Sequence, residues 1–201
     1  MIREMWNSKF SREGYLYGID PNVYLAGQID GLCTGATLLL LGEGEGRNAC
    51  YAASKGLKVT ALDASDVGLE KALQLADVRG VSIDTVHTDL EQWHADTPYD
   101  AVMASFLHLS EPLRTQVFRE ALRALRPSGI FAAEFFSVKQ LPLSSGGPKD
   151  AELLYTLDSL EVIFDIPGFE LLQLEEVVDT LEEGKGHSGE AQLIRVKVKK
   201  I

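Results

Sequence analysis

No run of twenty apolar residues occurs in the sequence, so no segment reads as a membrane-crossing helix. The opening Met1-Ile2-Arg3-Glu4-Met5-Trp6 mixes charges and lacks the apolar centre of a signal peptide, and it reads as mature sequence. Cysteine is scarce. Cys33 and Cys50 are too few for a disulfide framework and lack the paired spacing of a zinc site, so a reduced, cytoplasmic setting without metal is expected. Basic residues are in deficit, 19 against 30 acidic ones, and the net charge of −11 repels phosphate backbones and anionic lipid. Neither nucleic acid nor a membrane is expected as a partner. Repeats, low-complexity tracts and linkers are lacking as well, and 201 residues suffice for one well-buried domain but not two.

What the sequence does have is alternation. The apolar run Thr37-Leu38-Leu39-Leu40-Leu41, stopped by Gly42, has the pattern of a strand buried on both faces. The spacing then predicts a helix over 48–55 ended by Gly56, a strand over 57–62, and a helix capped by Ser65-Asp66 and stopped by Gly80. Strands follow over 81–86 and 101–106. Ser110-Glu111-Pro112 opens a helix carrying Leu113, Val117, Phe118, Leu122 and Leu125; Pro127-Ser128-Gly129 closes it before a fifth strand over 130–136. Strands alternating with helices predict a doubly wound α/β domain with a mostly parallel sheet and right-handed crossovers. Residues 144–148 read as a mobile loop, and one helix is expected between Lys149 and Phe164. In the final piece Ile194, Val196 and Val198 alternate with Arg195, Lys197 and Lys199, which predicts an antiparallel hairpin at one side of the sheet.

Open parallel sheets bind ligands beyond the carboxyl ends of their strands, which directs attention to Gly42-Glu43-Gly44-Glu45-Gly46-Arg47-Asn48. Three glycines at every second position let backbone approach a ligand, and the following helix start aims free amides at it. A dinucleotide site needs a third glycine where Arg47 stands, so the pyrophosphate fingerprint of a nicotinamide oxidoreductase fails. Glu43 and Glu45 also argue against polyphosphate and suit a ligand bearing an ammonium and a sulfonium. Arg47 and Asn48 are placed to touch a ligand carboxylate or to satisfy neighbouring backbone groups. Asp63, with Ala64 and Ser65 after it, ends the second strand where a carboxylate can accept from both hydroxyls of a ribose. Asp89-Leu90 follows the third strand, where Asp89 can accept from an adenine amino group while Leu90 packs on the ring. Three such positions at successive strand ends favour an adenosine-type ligand.

At these residues the sequence resembles the class I S-adenosylmethionine-dependent methyltransferases, from about Leu38 to the C-terminus. The loop G-E-G-E-G-R-N with Tyr51-Ala52-Ala53, the opening Trp6-Asn7-Ser8-Lys9-Phe10, and Tyr17-Gly18 before Pro21-Asn22 resemble more closely the tellurite-resistance and thiopurine methyltransferase group. The resemblance implies a seven-stranded Rossmann-like sheet with S-adenosylmethionine as cofactor. Gly42, Gly44 and Gly46 would contact its methionine part, Asp63 the ribose, Asp89 and Leu90 the adenine, and Ser105-Phe106 the sulfonium end. That group often has a second tryptophan where this chain has Phe10.

Methyl transfer asks the protein for alignment and exclusion of water, with a base where the acceptor must lose a proton. His108, after the fourth strand, and His187, in the glycine-flanked turn of the final hairpin, are the histidines expected near the methyl group; His94 lies off that face. Trp6, Phe10, Tyr15 and Tyr17 form an aromatic cluster in a segment with few helix or strand signals, suited to a substrate lid. The expectation is a methyltransferase for a small-molecule acceptor, a thiol or chalcogen compound by resemblance, acting as a monomer or weak homodimer. The fold alone equally permits a regulatory S-adenosylmethionine-binding protein that transfers nothing.

Overall fold

Strand β1 (Thr37–Leu41) is buried on both faces, as its unbroken leucines require: Leu39 and Leu41 point to one side of the sheet, Leu38 and Leu40 to the other. The computed structural model describes residues 2–201; Met1, the first residue of the mixed-charge opening, lies outside the described residues. β1 pairs in parallel with β2 (Lys58–Asp63) and with β4 (Tyr99–Ser105). β3 (Asp84–His87) lies outside β2, and β5 (Leu125–Phe136) outside β4. A hairpin of β6 (Phe169–Glu183) and β7 (His187–Lys200) completes seven strands in the order β3-β2-β1-β4-β5-β7-β6, with β7 antiparallel to both neighbours. The doubly wound, mostly parallel sheet with a C-terminal antiparallel hairpin is thus present.

The period-two alternation divides two cores. α2 (Val23–Asp30), α3 (Arg47–Ser54) and α4 (Asp66–Arg79) cover one face; α5 (Leu113–Arg123) and α6 (Leu157–Phe164) cover the other with Phe118, Phe131, Phe135 and Tyr155. Strand order reverses between β1 and β4, which places a crevice beyond their carboxyl ends. Among the described residues no helix is long and apolar enough to cross a membrane.

Several boundaries depart from the sequence reading. The third strand begins at Asp84, because Val81 N–H is used to bond Ala76 C=O at the left-handed Gly80 stop of α4. α5 ends at Arg123 and Leu125 already pairs with Tyr99, so Pro127-Ser128-Gly129 interrupts a strand instead of ending a helix. The region 149–164 is not one helix. Tyr155 exchanges backbone bonds with Phe136 and Val138, and α6 starts only after a Thr156–Ser159 capping box. The 144–148 loop is anchored: buried Ser145 donates to Glu190 C=O, and its own C=O accepts from Ser188 N–H.

The N-terminal segment, expected to be irregular, contains α1 (Ile2–Phe10) and α2. Tertiary contacts organise α1. Arg3 and Asn7 bond the Asp66 carboxylate, Ser65 Oγ donates to Asn7 Oδ1 at 2.6 Å, and the Phe10 ring is buried. Local sequence pattern carries little of that information.

Candidate functional site

A cavity of about 290 Å³ opens beyond the carboxyl ends of β1, β2 and β4. Its wall brings together Gly42, Glu43, Gly44 and Arg47 from the glycine loop, Asp63 and Ala64 at the end of β2, Asp89 and Leu90 after β3, and Ser105, Phe106 and His108 at the end of β4. Trp6, Phe10, Tyr17 and His187 line the same cavity, Phe10 against Gly44 and His187 against Phe106. Residues expected from four strand ends, the hairpin and the N-terminal segment therefore share one chamber.

The loop glycines all have positive φ, 62° at Gly42, 63° at Gly44 and 87° at Gly46, a region that disfavours side chains. Their reasons differ. A Cβ on Gly42 would meet Leu107 Cδ1 at 2.7 Å and one on Gly44 would meet the Phe10 ring at 3.0 Å, both at the cavity wall. A Cβ on Gly46 would lie 2.5 Å from that of Ala72, so this glycine admits α4 against α3 and does not line the cavity.

Several polar residues expected at the ligand serve the framework. Glu43 Oε1 accepts from Ala49 N–H at 2.7 Å and Oε2 from the Asn48 amide at 3.0 Å, capping α3 from within the loop. Burial pushes the Glu43 carboxyl up to about 7, against the pull of those bonds. Asn48 lies behind the cavity wall, where its Oδ1 accepts from Asn22 N–H. Ser65 is the N-cap of α4, bonded to Gly68 N–H and Asn7, and it too lies off the lining. Glu45 turns away to Lys71 at 2.6 Å and Leu16 N–H at 2.7 Å. Tyr15 packs outside the cavity, its hydroxyl directed to Lys71 C=O.

Asp63 remains in the wall, only 7% exposed. Its Oδ2 accepts from Gly44 N–H at 2.8 Å and Oδ1 from Ser65 N–H at 2.7 Å, so it pins the glycine loop to the start of α4. Burial raises its pKa and the backbone donors offset part of the rise. Each oxygen keeps a second lone pair for a ligand.

His187 is not in the hairpin turn, which is 184–186; it is the first residue of β7 and is 3% exposed. Glu183, missed in the sequence reading, is its cross-strand partner. His187 Nδ1 lies 3.1 Å from Glu183 Oε2, which also accepts from Arg47 Nη2 at 2.9 Å. The signal was available: positions i and i+4 across a three-residue turn share one face of a hairpin. Burial raises the Glu183 pKa, but the bonds from His187 and Arg47 outweigh it and leave it lowered; burial lowers that of His187 against the pull of Glu183. The pair is thus an ionised carboxylate beside a neutral imidazole. His108, stacked on Phe136, is driven down to about 3, chiefly by burial, and its Nδ1 has no partner among the described residues.

Glycine also shapes the turn over this pair. A Cβ on Gly184 would lie 2.4 Å from Gly18 N, and one on Gly186 would run into the Tyr17 ring at 2.3 Å. The hairpin therefore docks on residues 16–18 and carries Tyr17 to within 4.4 Å of the His187 ring.

Residues 38–129 match a family model described as a methyltransferase domain. No curated protein sequence matches the chain significantly. Among solved structures, one from work on the conversion of a disulfide bond into a thioacetal group during echinomycin biosynthesis is 20% identical, with a TM-score of 0.76 over 100% of this chain and 92% of that one. TehB from Haemophilus influenzae is 14% identical, with a TM-score of 0.72 over 99% of this chain and 67% of its own. The N-methyltransferase NodS from Bradyrhizobium japonicum, solved with S-adenosyl-l-homocysteine, is 11% identical, with a TM-score of 0.74 over 99% and 98%. Residues 38–129 thus match a methyltransferase-domain model, and the chain as a whole has the α/β fold of these solved structures, an N-methyltransferase with bound S-adenosyl-l-homocysteine among them.

Proposed function

We propose that this protein is an enzyme that binds S-adenosylmethionine in the 290 Å³ cavity and methylates a small molecule at sulfur or another chalcogen. The observation that carries this reading is the shared chamber. Asp63, Ala64, Asp89 and Leu90 line it together with His187, Tyr17 and Phe106. The residues fit the cofactor on structural grounds. Gly42 and Gly44 line the cavity as bare backbone, where a Cβ would strike Leu107 or Phe10 of the same wall, and the buried Asp63 carboxylate retains acceptor capacity there. Bound S-adenosylmethionine supplies an electrophilic methyl group on a sulfonium.

Asp63 would accept from ribose hydroxyls, Asp89 from the adenine amino group, and Leu90 would pack on the base. Gly42 and Gly44 would present backbone to the methionine part, beside Arg47, and Ser105-Phe106 would face the sulfonium end. Trp6, Phe10 and Tyr17 would exclude water above the acceptor, and His187 would act on the acceptor side. A sulfur acceptor agrees with the resemblance to the thiopurine group, and the fold neighbour from echinomycin biosynthesis belongs to a sulfur-centred reaction. Two cysteines outside any disulfide suit a cytoplasmic setting, and a monomer or weak homodimer is expected. Incubation with S-adenosylmethionine and a panel of thiol, chalcogenide, amine and hydroxyl acceptors, read as S-adenosylhomocysteine release, tests the reading. Release with thiols supports it; cofactor binding without release from any acceptor favours a regulatory protein.

A further inference from the structure

The cavity lining is unequally charged. Of its described side chains, Glu43, Asp63, Asp89 and Glu91 are acidic and Arg47 alone is basic, and that guanidinium is already paired with Glu183. An anionic acceptor would meet no unpaired cation among the described lining side chains and would face the like charge of the carboxylates, with Lys9, over the Trp6 ring at 4.3 Å, the one cation outside the lining that acts on both cavity histidines. The lining also carries apolar side chains, Phe106 against the His187 ring and Leu107, Leu109, Leu113 and Leu153 elsewhere in the same cavity.

The His187 ring is held from several sides. Phe106 lies edge-on at 4.3 Å and Phe136 at 5.2 Å, and a Cβ on Gly146 would come within 2.6 Å of Cδ2. The charged or titratable groups acting on it are Glu183 of β6, Arg47 of α3, Lys9 of α1, Tyr17 of the N-terminal segment, and His108 after β4. Glu183 holds Nδ1, whereas Nε2 has no hydrogen-bond partner among the described residues and belongs to a ring that lines the cavity.

Resting on the methyltransferase reading above, we propose that the acceptor is a small apolar molecule presenting a neutral thiol. Glu183 is then a positioning residue that keeps the His187 proton on Nδ1, so that Nε2 takes the thiol proton. As the acceptor sulfur bonds to the methyl carbon, the bond from that carbon to the sulfonium breaks and its electrons stay on the cofactor sulfur. The S–H proton passes to Nε2, the S–H electron pair stays on the acceptor sulfur, and Glu183 stabilises the imidazolium until solvent removes the proton. A thiol suits this base better than an alcohol does, because its ordinary acidity lies nearer to that of imidazole. The buried Arg47–Glu183 pair fixes the carboxylate in turn.

Imidazole-nitrogen NMR on histidine-labelled protein, with His187→Gln to assign the signal, reads the tautomer without any acceptor. The wild type is expected to carry its proton on Nδ1 with Nε2 bare, and Glu183→Gln to move population toward Nε2–H; a wild-type Nε2–H tautomer overturns the proposal. Turnover is then compared on phenylmethanethiol, neutral at working pH, and para-nitrobenzenethiol, already ionised. Both Glu183→Gln and His187→Gln are expected to lower the neutral-to-ionised rate ratio by at least about tenfold. An unchanged ratio overturns the proposal, and if neither thiol is methylated the tautomer decides. Calorimetric S-adenosylmethionine binding by the wild type separates the two failures, because its absence defeats the parent reading and its presence leaves only the acceptor assignment in question.

Discussion

Replacing Asp63 by alanine removes the carboxylate that ties the glycine loop to α4, and its effect divides between stability and binding. The wild-type oxygens accept from Gly44 N–H at 2.8 Å and Ser65 N–H at 2.7 Å in a nearly inaccessible position. Each buried donor left without a partner costs roughly 1–3 kcal/mol, or about 2–6 kcal/mol for the two. Burial raises the Asp63 pKa, so deleting the carboxylate returns part of a desolvation penalty. The net loss should therefore fall near the lower end, about 2–3 kcal/mol. Urea unfolding without ligand measures it as a shift in midpoint at unchanged slope. Repeating the titration with S-adenosylmethionine at about a hundred times its dissociation constant should stabilise the wild type by about 2.7 kcal/mol and the variant by much less. A variant that matches the wild type within about 0.5 kcal/mol and keeps the full ligand stabilisation would refute both roles.

Other perturbations probe neighbouring parts. Glu43 has its folded pKa raised to about 7, so its contribution to stability is full below the ordinary glutamate range and is lost as pH rises through about 7. Wild type should therefore lose on the order of 3 kcal/mol relative to Glu43→Gln between about pH 4 and about pH 8. Urea midpoints across pH measure this, and a pH-independent difference contradicts it. Gly46→Ala puts a Cβ 2.5 Å from that of Ala72 at positive φ. It should cost about 3 kcal/mol or more by thermal unfolding, whereas an unchanged melting temperature denies the close α3–α4 contact. Phe10→Ala empties the buried position over Gly44 and Gly68. It should destabilise by about 3–5 kcal/mol and expose α1 to limited proteolysis, and intact protection would show that α1 docks by other means.

Where one physical pattern dominates, sequence and structure coincide. The leucines of β1 and the alternation of β7 have few structural readings, and the Ser65 to Gly80 signals bound α4 correctly. Ambiguity arises where one residue type serves two purposes. Glu43 and Ser65 are polar groups at helix starts that helix amides claim, and Asn48 is held between Glu43 and the Asn22 N–H, so none is left for a ligand. Gly46 answers to Ala72, a contact between helices that no local pattern encodes. α1 was invisible because Ser65 and Asp66, some sixty residues away, hold it in place. Glu183 became meaningful only once the 184–186 turn fixed the hairpin register that sets it opposite His187.

What the cavity lined by Asp63 and His187 binds decides between a methyltransferase and its alternatives. Calorimetric titration of the wild-type protein with S-adenosylmethionine, followed by NADH, tests it. The expected result is saturable one-to-one S-adenosylmethionine binding that Asp63→Ala weakens by about 2–3 kcal/mol, with no heat from NADH. Tight NADH binding with no S-adenosylmethionine binding would contradict it.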